Sequence, residues 1–393
     1  MPSQEASAPS WSCYPVHWSK KLGILVISGS YNNKSAVFTY TLDGKRLAYY
    51  PGDLSSISPS KTKILIGENT IIDLQTNKKI TLAWSLEDYH EFILSDLFWT
   101  SDETRIYRCC YFYADLTTGI SHRFERSDFQ DTNGNHLDPD GLWFYRGGWV
   151  QDDTYFLGEW SYVDDGDIRY LPMFDPAKKL FYDVREMAGI SDELTCPETI
   201  ASMNGTYVWL NCYEKSYLVN LTTFETNEYP GYPNIDIDWS ADDKFALLRS
   251  YENETYKYFL LSLASKDIRN LPISPASDPN RWWQDLWWHP SDDVFAYISK
   301  NGQKLELMDV RTPSVQELSL PAAFREPVWS PEGNRIALVA EDGSLWQVDY
   351  PGLEHLEQLT PPLPDLSDLT WSPDGNSIAF ISGSDIYIVE TNK

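Results

Sequence analysis

Two near-copies of a thirteen-residue string stand near the C-terminus, 42 positions apart. It reads Leu369-Thr370-Trp371-Ser372-Pro373-Asp374-Gly375-Asn376-Ser377-Ile378-Ala379-Phe380-Ile381, and upstream Pro327-Val328-Trp329-Ser330-Pro331-Glu332-Gly333-Asn334-Arg335-Ile336-Ala337-Leu338-Val339. Looser copies stand at Trp288-His289-Pro290-Ser291-Asp292, Trp239-Ser240-Ala241-Asp242-Asp243, Trp99-Thr100-Ser101-Asp102-Glu103 and Trp18-Ser19, and three weaker ones are anchored at Ile57, Trp149 and Ala201. Nine motifs result, at intervals between 38 and 52 residues that average about 44. A period of that size marks one supersecondary unit copied along the chain, each copy too small to bury its own core.

The unit has readable physics. The Trp closes one strand, and the residues after it carry turn chemistry: Pro sets φ, Asp bonds the backbone amides ahead of it, and Gly accepts positive φ. The run that follows is β-branched and aromatic, as expected of a strand covered on both faces. An alternating strand and a polar turn such as Met308-Asp309-Val310-Arg311-Thr312 complete the unit. Four short antiparallel strands per copy are implied, and helical periodicity is confined to 184–194.

These residues resemble the TolB-like (PD40 or WD40-like) β-propeller repeat, whose signature is similar to Trp371-Ser372-Pro373-Asp374-Gly375-Asn376-Ser377-Ile378-Ala379-Phe380. The resemblance covers nearly the whole chain and is closest over 235–393. It implies an all-β fold, a single β-propeller of four-stranded antiparallel blades, nine by motif count. Eight is the alternative, if the copy at 149 or 201 elaborates its neighbour. The same repeat serves scaffolds, periplasmic binding proteins and the gating domains of serine peptidases, so the resemblance implies a fold rather than an activity. The last repeat stops after its third strand, at 389–393. Propellers commonly take the missing strand from the N-terminus, so 1–14 is read as a segment closing the last blade, and 15–393 as the propeller.

Composition narrows the function classes. With 31 Lys+Arg against 58 Asp+Glu the formal net charge is −27, and such a field repels nucleic acid and anionic membrane surfaces. No run of about 18 apolar residues occurs, which excludes membrane insertion by a helix. Met1 to Ser10 is rich in Ser, Ala and Pro and lacks the apolar core of a signal peptide. It fits either a stub left by signal removal or a native start; an extracytoplasmic setting, periplasmic or secreted, is favoured.

Motifs that would carry chemistry are missing or incomplete. Gly158-Glu159-Trp160-Ser161-Tyr162 lacks the second Gly of a nucleophile elbow, no His-Glu-x-x-His pair exists, and no phosphate loop or dinucleotide fingerprint occurs. His17 and His289 flank motif Trp residues and read as structural. The best metal candidate is the acidic turn 131–141, where Asp131, Asn133, Asn135, Asp138 and Asp140 offer the oxygen ligands a hard cation such as Ca²⁺ takes. His136 and Leu142 stand where a helix-loop-helix calcium site needs Gly and Glu. The string Asn280-Arg281-Trp282-Trp283-Gln284-Asp285-Leu286-Trp287-Trp288 holds four Trp in seven residues. Only Trp288 is explained by the repeat, so Arg281, Trp282 and Trp283 are candidate binding residues. The acids at the repeated turn recur at one position of the unit and read as turn formers. Of the five Cys, Cys196 and Cys212 bracket the start of one repeat and could pair, whereas adjacent Cys109 and Cys110 point to opposite faces of a strand.

The resulting expectation is a monomeric, non-catalytic propeller that binds a protein, peptide or glycan. The long inserts near 128–148, 160–168 and 273–287 would supply the contacts from one rim. The alternative is a carbohydrate-active hydrolase or lyase using carboxylates around the central channel.

Overall fold

The computed structural model describes residues 12–31, 34–82, 97–108, 112–123, 148–150, 155–157, 161–162, 168–191, 198–232, 235–252, 255–275, 286–383 and 385–391, together with 130–131, 134 and 196. The fold is all-β and built of propeller blades. Among the described residues there is one helical turn, Val184–Met187, inside the stretch that showed helical periodicity. The Asp183 side chain caps it by accepting from Arg185 N at 3.0 Å, and Gly189 at φ +66° follows it.

Nine sheets of blade pattern follow one another in chain order among the described residues, with a two-stranded hairpin inserted in the fourth. Each blade strand pairs antiparallel with its sequence neighbour, apart from that insertion. The first sheet comprises Ser12–Ser19, Ile24–Tyr31, Lys34–Thr41 and Arg46–Pro51. The first strand starts before residue 15; the expectation that residues ahead of it close the last blade falls on 1–11, outside the described residues. The weak copies at 149 and 201 each open a sheet, with Gly148–Val150 and Glu198–Ala201. In the fourth sheet Tyr155–Leu157 pairs with Pro172–Asp175 across the hairpin of Ser161–Tyr162 and Ile168–Tyr170, and Gln130–Asp131 adds a parallel strand to the outer edge. Among the described residues the ninth sheet has three strands, Leu366–Trp371, Ser377–Ser382 and Asp385–Glu390.

The second strand of each well-formed copy is the buried one. Val294–Ile298 and Ser377–Ser382 are buried at every position, the mark of a strand packed on both faces. The motif turn repeats in atomic detail. Ser372 Oγ donates to Asp374 Oδ1 at 2.6 Å and accepts from Ser377 N at 2.9 Å, while Asn376 N donates to Asp374 Oδ1 at 3.1 Å. Thr100 with Asp102 and Ser240 with Asp242 form the same net. The expected turn-forming role is met by Asp102, Asp242 and Asp374 but not by Asp292 or Glu332, whose turns are closed by His289 Nδ1 and by Ser330 Oγ bonding Asn334 Oδ1.

The chain forms two compact units, Met1–Thr81 with Ser274–Lys393, and Leu82–Ile273. In the first, adjacent sheets share apolar cores: the seventh with the eighth around Leu307 and Leu338, the eighth with the ninth around Val339 and Phe380, the ninth with the first around Ile381 and Leu25, and the first with the second around Val26 and Ile64. The two ends of the described chain thus pack side by side within one unit. The motif indoles reinforce that stacking by donating to the neighbouring sheet. Trp329 Nε1 reaches Trp287 O at 2.9 Å, Trp371 Nε1 reaches Val328 O at 3.0 Å, and Trp18 Nε1 reaches Thr370 O at 3.3 Å. In the second unit the fourth and fifth sheets share a core around Met173 and Leu210, and the fifth and sixth around Trp209 and Leu248.

His289 replaces the motif Ser and keeps its function in another way. Its Nδ1 accepts from Ser291 N at 3.1 Å and Asp292 N at 2.8 Å, which leaves Nε2–H to donate to Gly333 O of the next sheet at 3.0 Å. Cys196 and Cys212 form a disulfide at the open end of the hairpin that begins the fifth sheet. Cys109 and Cys110 lie outside the described residues.

Candidate functional site

The sequence pointed to two places that the described residues barely reach. Arg281, Trp282 and Trp283 lie outside them, as do Asn133, Asn135, Asp138 and Asp140. Asp131 lies on the strand that pairs with Leu180–Asp183, and Gly134 stands at φ +82°, the conformation a tight turn there asks of it. No group of three or more His, Cys, Asp or Glu converges into a metal-binding cluster among the described residues.

The described residues place a groove elsewhere, along the last strand of the chain. Asp385–Glu390 pairs with Ser377–Ser382 on one side, and among the described residues no strand pairs with its other side. Thr391 N donates to Asn376 O at 2.9 Å, which fixes the phase of the ladder. Antiparallel alternation then leaves the backbone N–H and C=O groups of Ile386, Ile388 and Glu390 on the outer side. The side chains of Ile386 and Ile388 pack toward Trp18, Leu25 and Ile27 of the first sheet. On the opposite face Tyr387 stacks on Phe380 with centroids 5.5 Å apart.

Between that edge and the first sheet is a cavity of about 900 Å³. Its apolar wall includes Leu25, Ile27, Phe38, Tyr40, Ile386 and Ile388, and Asp43, Asp385 and Glu390 stand exposed at its borders. Tyr49, opposite Phe38 and 5.3 Å from it ring to ring, extends the apolar face outward at 45% exposure, and Leu42 adds to it at 37%. Thr41 bonds the Asp43 carboxylate and, as the largest of several effects, holds its pKa below the usual range.

The last strand is anchored at its far end. Thr391 O accepts from Arg335 Nη1 at 3.1 Å and Gln347 Nε2 at 3.0 Å, and Thr391 Oγ1 donates to Gly375 O at 3.0 Å. A polar cavity of about 490 Å³ surrounds this anchor, where His355 Nδ1 meets Asp349 Oδ2 at 2.9 Å and that contact raises the imidazole pKa. Arg335 and Gln347 hold Thr391 and so position the strand Asp385–Glu390, while Asp349 and His355 bond each other beside them.

A pair of carboxylates on the first strand of the sixth sheet has different electrostatics. Asp236 and Asp238 share one face of Asp236–Trp239. Arg249, directly across the ladder, grips Asp236 Oδ2 through Nε at 3.0 Å and Nη2 at 2.8 Å. Asp238 is exposed at its surface, and desolvation by the protein around it raises its carboxyl to about 6.

The groove was not legible as a site, because its walls come from residues 25–44 and 377–390. The one signal for it was the last repeat, one strand short. No protein-family model matches the chain, and no curated protein sequence matches it. Solved structures do. A eukaryotic initiation factor aligns over 91% of this chain and 90% of its own at 12% identity and a TM-score of 0.56. A putative TolB from Agrobacterium tumefaciens aligns over 49% of this chain and 77% of its own at 17% identity and a TM-score of 0.34. An oligogalacturonate lyase in complex with manganese aligns over 98% and 92% at 11% identity and a TM-score of 0.46. At these identities the likeness concerns the fold and not the activity, and only the initiation factor aligns closely enough to carry even that.

Proposed function

We propose that this chain is a binding or scaffold propeller whose ligand is a protein or peptide. The observation that supports the reading is the groove beside Asp385–Glu390: an apolar wall, an acidic border and a strand edge with outward backbone groups. Apolar area supplies affinity and backbone groups supply orientation, which suits a polypeptide better than a small polar substrate. The disulfide between Cys196 and Cys212 favours an extracytoplasmic setting, where such bonds persist. The test is a random peptide library panned on the immobilised full chain, with recovered sequences re-measured against variants of the groove border. Recovery of peptides whose binding depends on those residues is expected; an empty library would overturn the reading.

Asp238 favours a second reading, a carbohydrate-active hydrolase or lyase. A carboxylic acid with a raised pKa is suited to donate a proton to a leaving oxygen, with Asp236, gripped by Arg249, as its partner. Release of reducing sugar from a polysaccharide panel, lost in Asp238→Asn, would support it; no release would remove it. The acidic turn at 131–141 is proposed as a calcium loop, and Arg281, Trp282 and Trp283 as a further contact patch for the ligand. Calcium is then expected to raise the melting temperature and a chelator to lower it. A melting curve unchanged by either would end the calcium proposal.

A further inference from the structure

The proposed function leaves the ligand's chemistry open, and the groove's own groups narrow it. Every other blade sheet has a fourth strand among the described residues, and it runs antiparallel to the third. Two of them, Arg46–Pro51 and Ser314–Ser319, are six residues long, the same length as Asp385–Glu390. The ninth sheet's third strand presents the backbone groups of Ile386, Ile388 and Glu390 at the position a fourth strand would take. An open edge of this kind is a template for another extended chain.

The surroundings say what that chain would carry. A strand laid along Asp385–Glu390 turns alternate side chains toward Phe38, Tyr40 and Leu42, so those positions must be apolar. The described lining holds Asp43, Asp385 and Glu390 but no Lys or Arg; Lys45 and Arg46 follow in the chain just past Gly44, outside it. A net charge of −27 adds long-range attraction for cations. The segment 1–11 fits this description poorly: it has Pro2 and Pro9, which donate no N–H, and its one charged side chain is the acidic Glu5.

We propose that a partner protein inserts an extended segment here, apolar at alternate positions and flanked by Lys or Arg, which joins the ninth sheet as its antiparallel fourth strand. The inference rests on the reading of the chain as a peptide-binding propeller and adds the binding mode and the partner's chemistry. Affinity then comes from apolar contact along the groove and ladder hydrogen bonds to Ile386, Ile388 and Glu390. Register and preference for basic flanks come from the acidic border.

The test uses the full chain and a synthetic peptide of alternating Val and Thr between Lys pairs, titrated by fluorescence anisotropy. Binding is expected, weakened by at least about tenfold when the border is reversed in Asp385→Lys/Glu390→Lys, both exposed positions whose exchange leaves the core untouched. It is expected to vanish when the peptide's ladder-facing nitrogens are methylated, and to be weaker by a similar factor for the Glu-flanked version. Equal binding by the methylated peptide would overturn strand addition while leaving a peptide-binding function intact. If only Pro-rich or acidic library peptides bind, the proposed chemistry is wrong; if no library peptide binds, the functional reading fails with it. A large gain in affinity on deleting residues 1–11 would assign the edge to the chain's own segment, and concentration-dependent dimerisation lost in the Asp385→Lys/Glu390→Lys variant would assign it to a second copy.

Discussion

Gly333 stands at φ +73°, and a Cβ added there would lie 2.0 Å from His289 Nε2. Two independent demands meet at this atom: the turn needs left-handed backbone, and the neighbouring sheet's histidine needs the space to reach Gly333 O. Gly333→Ala is expected to cost about 2–4 kcal/mol in denaturant unfolding. In a double-mutant cycle with His289→Ala the two changes are expected to be non-additive by about 1 kcal/mol or more, since removing the ring removes the clash. Asp238 gives the residue-scale prediction for pH. Its folded pKa, about 6, lies above the ordinary value of 3.8, so its contribution favours the native state below the ordinary value and is lost as pH rises through 6. Asp238→Asn is therefore expected to raise the melting temperature relative to the parent at pH 7–8, with the difference fading toward pH 4. A constant difference across that range would show that desolvation does not govern this carboxyl. The motif glycine was legible in the string Ser330-Pro331-Glu332-Gly333. The steric reason for it was not, because His289 is supplied by the preceding copy.

The repeated element is a hairpin turn whose side chains complete its hydrogen bonds. Ser372 is buried and bonds both Asp374 and Ser377 N, so Ser372→Ala strands a buried amide and is expected to cost about 1–3 kcal/mol. Ser372 also holds the Asp374 carboxyl below the usual range, as Thr100 does Asp102. A depressed pKa contributes stability that is present above the unfolded value near 4 and is lost as pH falls through the folded one. The cost of Ser372→Ala should accordingly shrink in acid. The fifth sheet supplies an element-scale test of covalent chemistry. Its disulfide closes a separation of 16 residues, for which chain entropy gives about 3 kcal/mol. Non-reducing peptide mapping is expected to recover Cys196 joined to Cys212, and reduction to lower the unfolding midpoint. Two unlinked peptides would contradict the pairing. These elements were the most legible part of the chain, because Trp, Ser, Pro, Asp and Gly at fixed offsets each have a local physical reason. Ser202 shows where local reading ends: it has Asn204 in place of the motif acid, and its Oγ takes Asp243 of the next sheet at 2.6 Å instead.

At the scale of the whole molecule, repetition decides the fold and its interruption marks the candidate site. Within the unit that holds both ends, Trp18 donates to Thr370 O across a separation of 352 residues, in the pattern that Trp329 and Trp371 repeat over about one period. Trp18→Phe keeps the ring and removes that bond, and is expected to cost about 1 kcal/mol. The four-stranded pattern could be read from the sequence because the copies before the last carry it entire. The groove could not, because it exists only where the first copy packs against the last, and no local string reports which copies meet. Residue-resolved amide exchange on the free protein tests the account most directly. The amides of Ile386, Ile388 and Glu390 should exchange at rates near those of solvent-facing backbone while Tyr387 and Val389 are protected, and the Lys-flanked peptide should protect the first three. Uniform protection of all five in the free protein would show that the edge is already paired and would contradict the account.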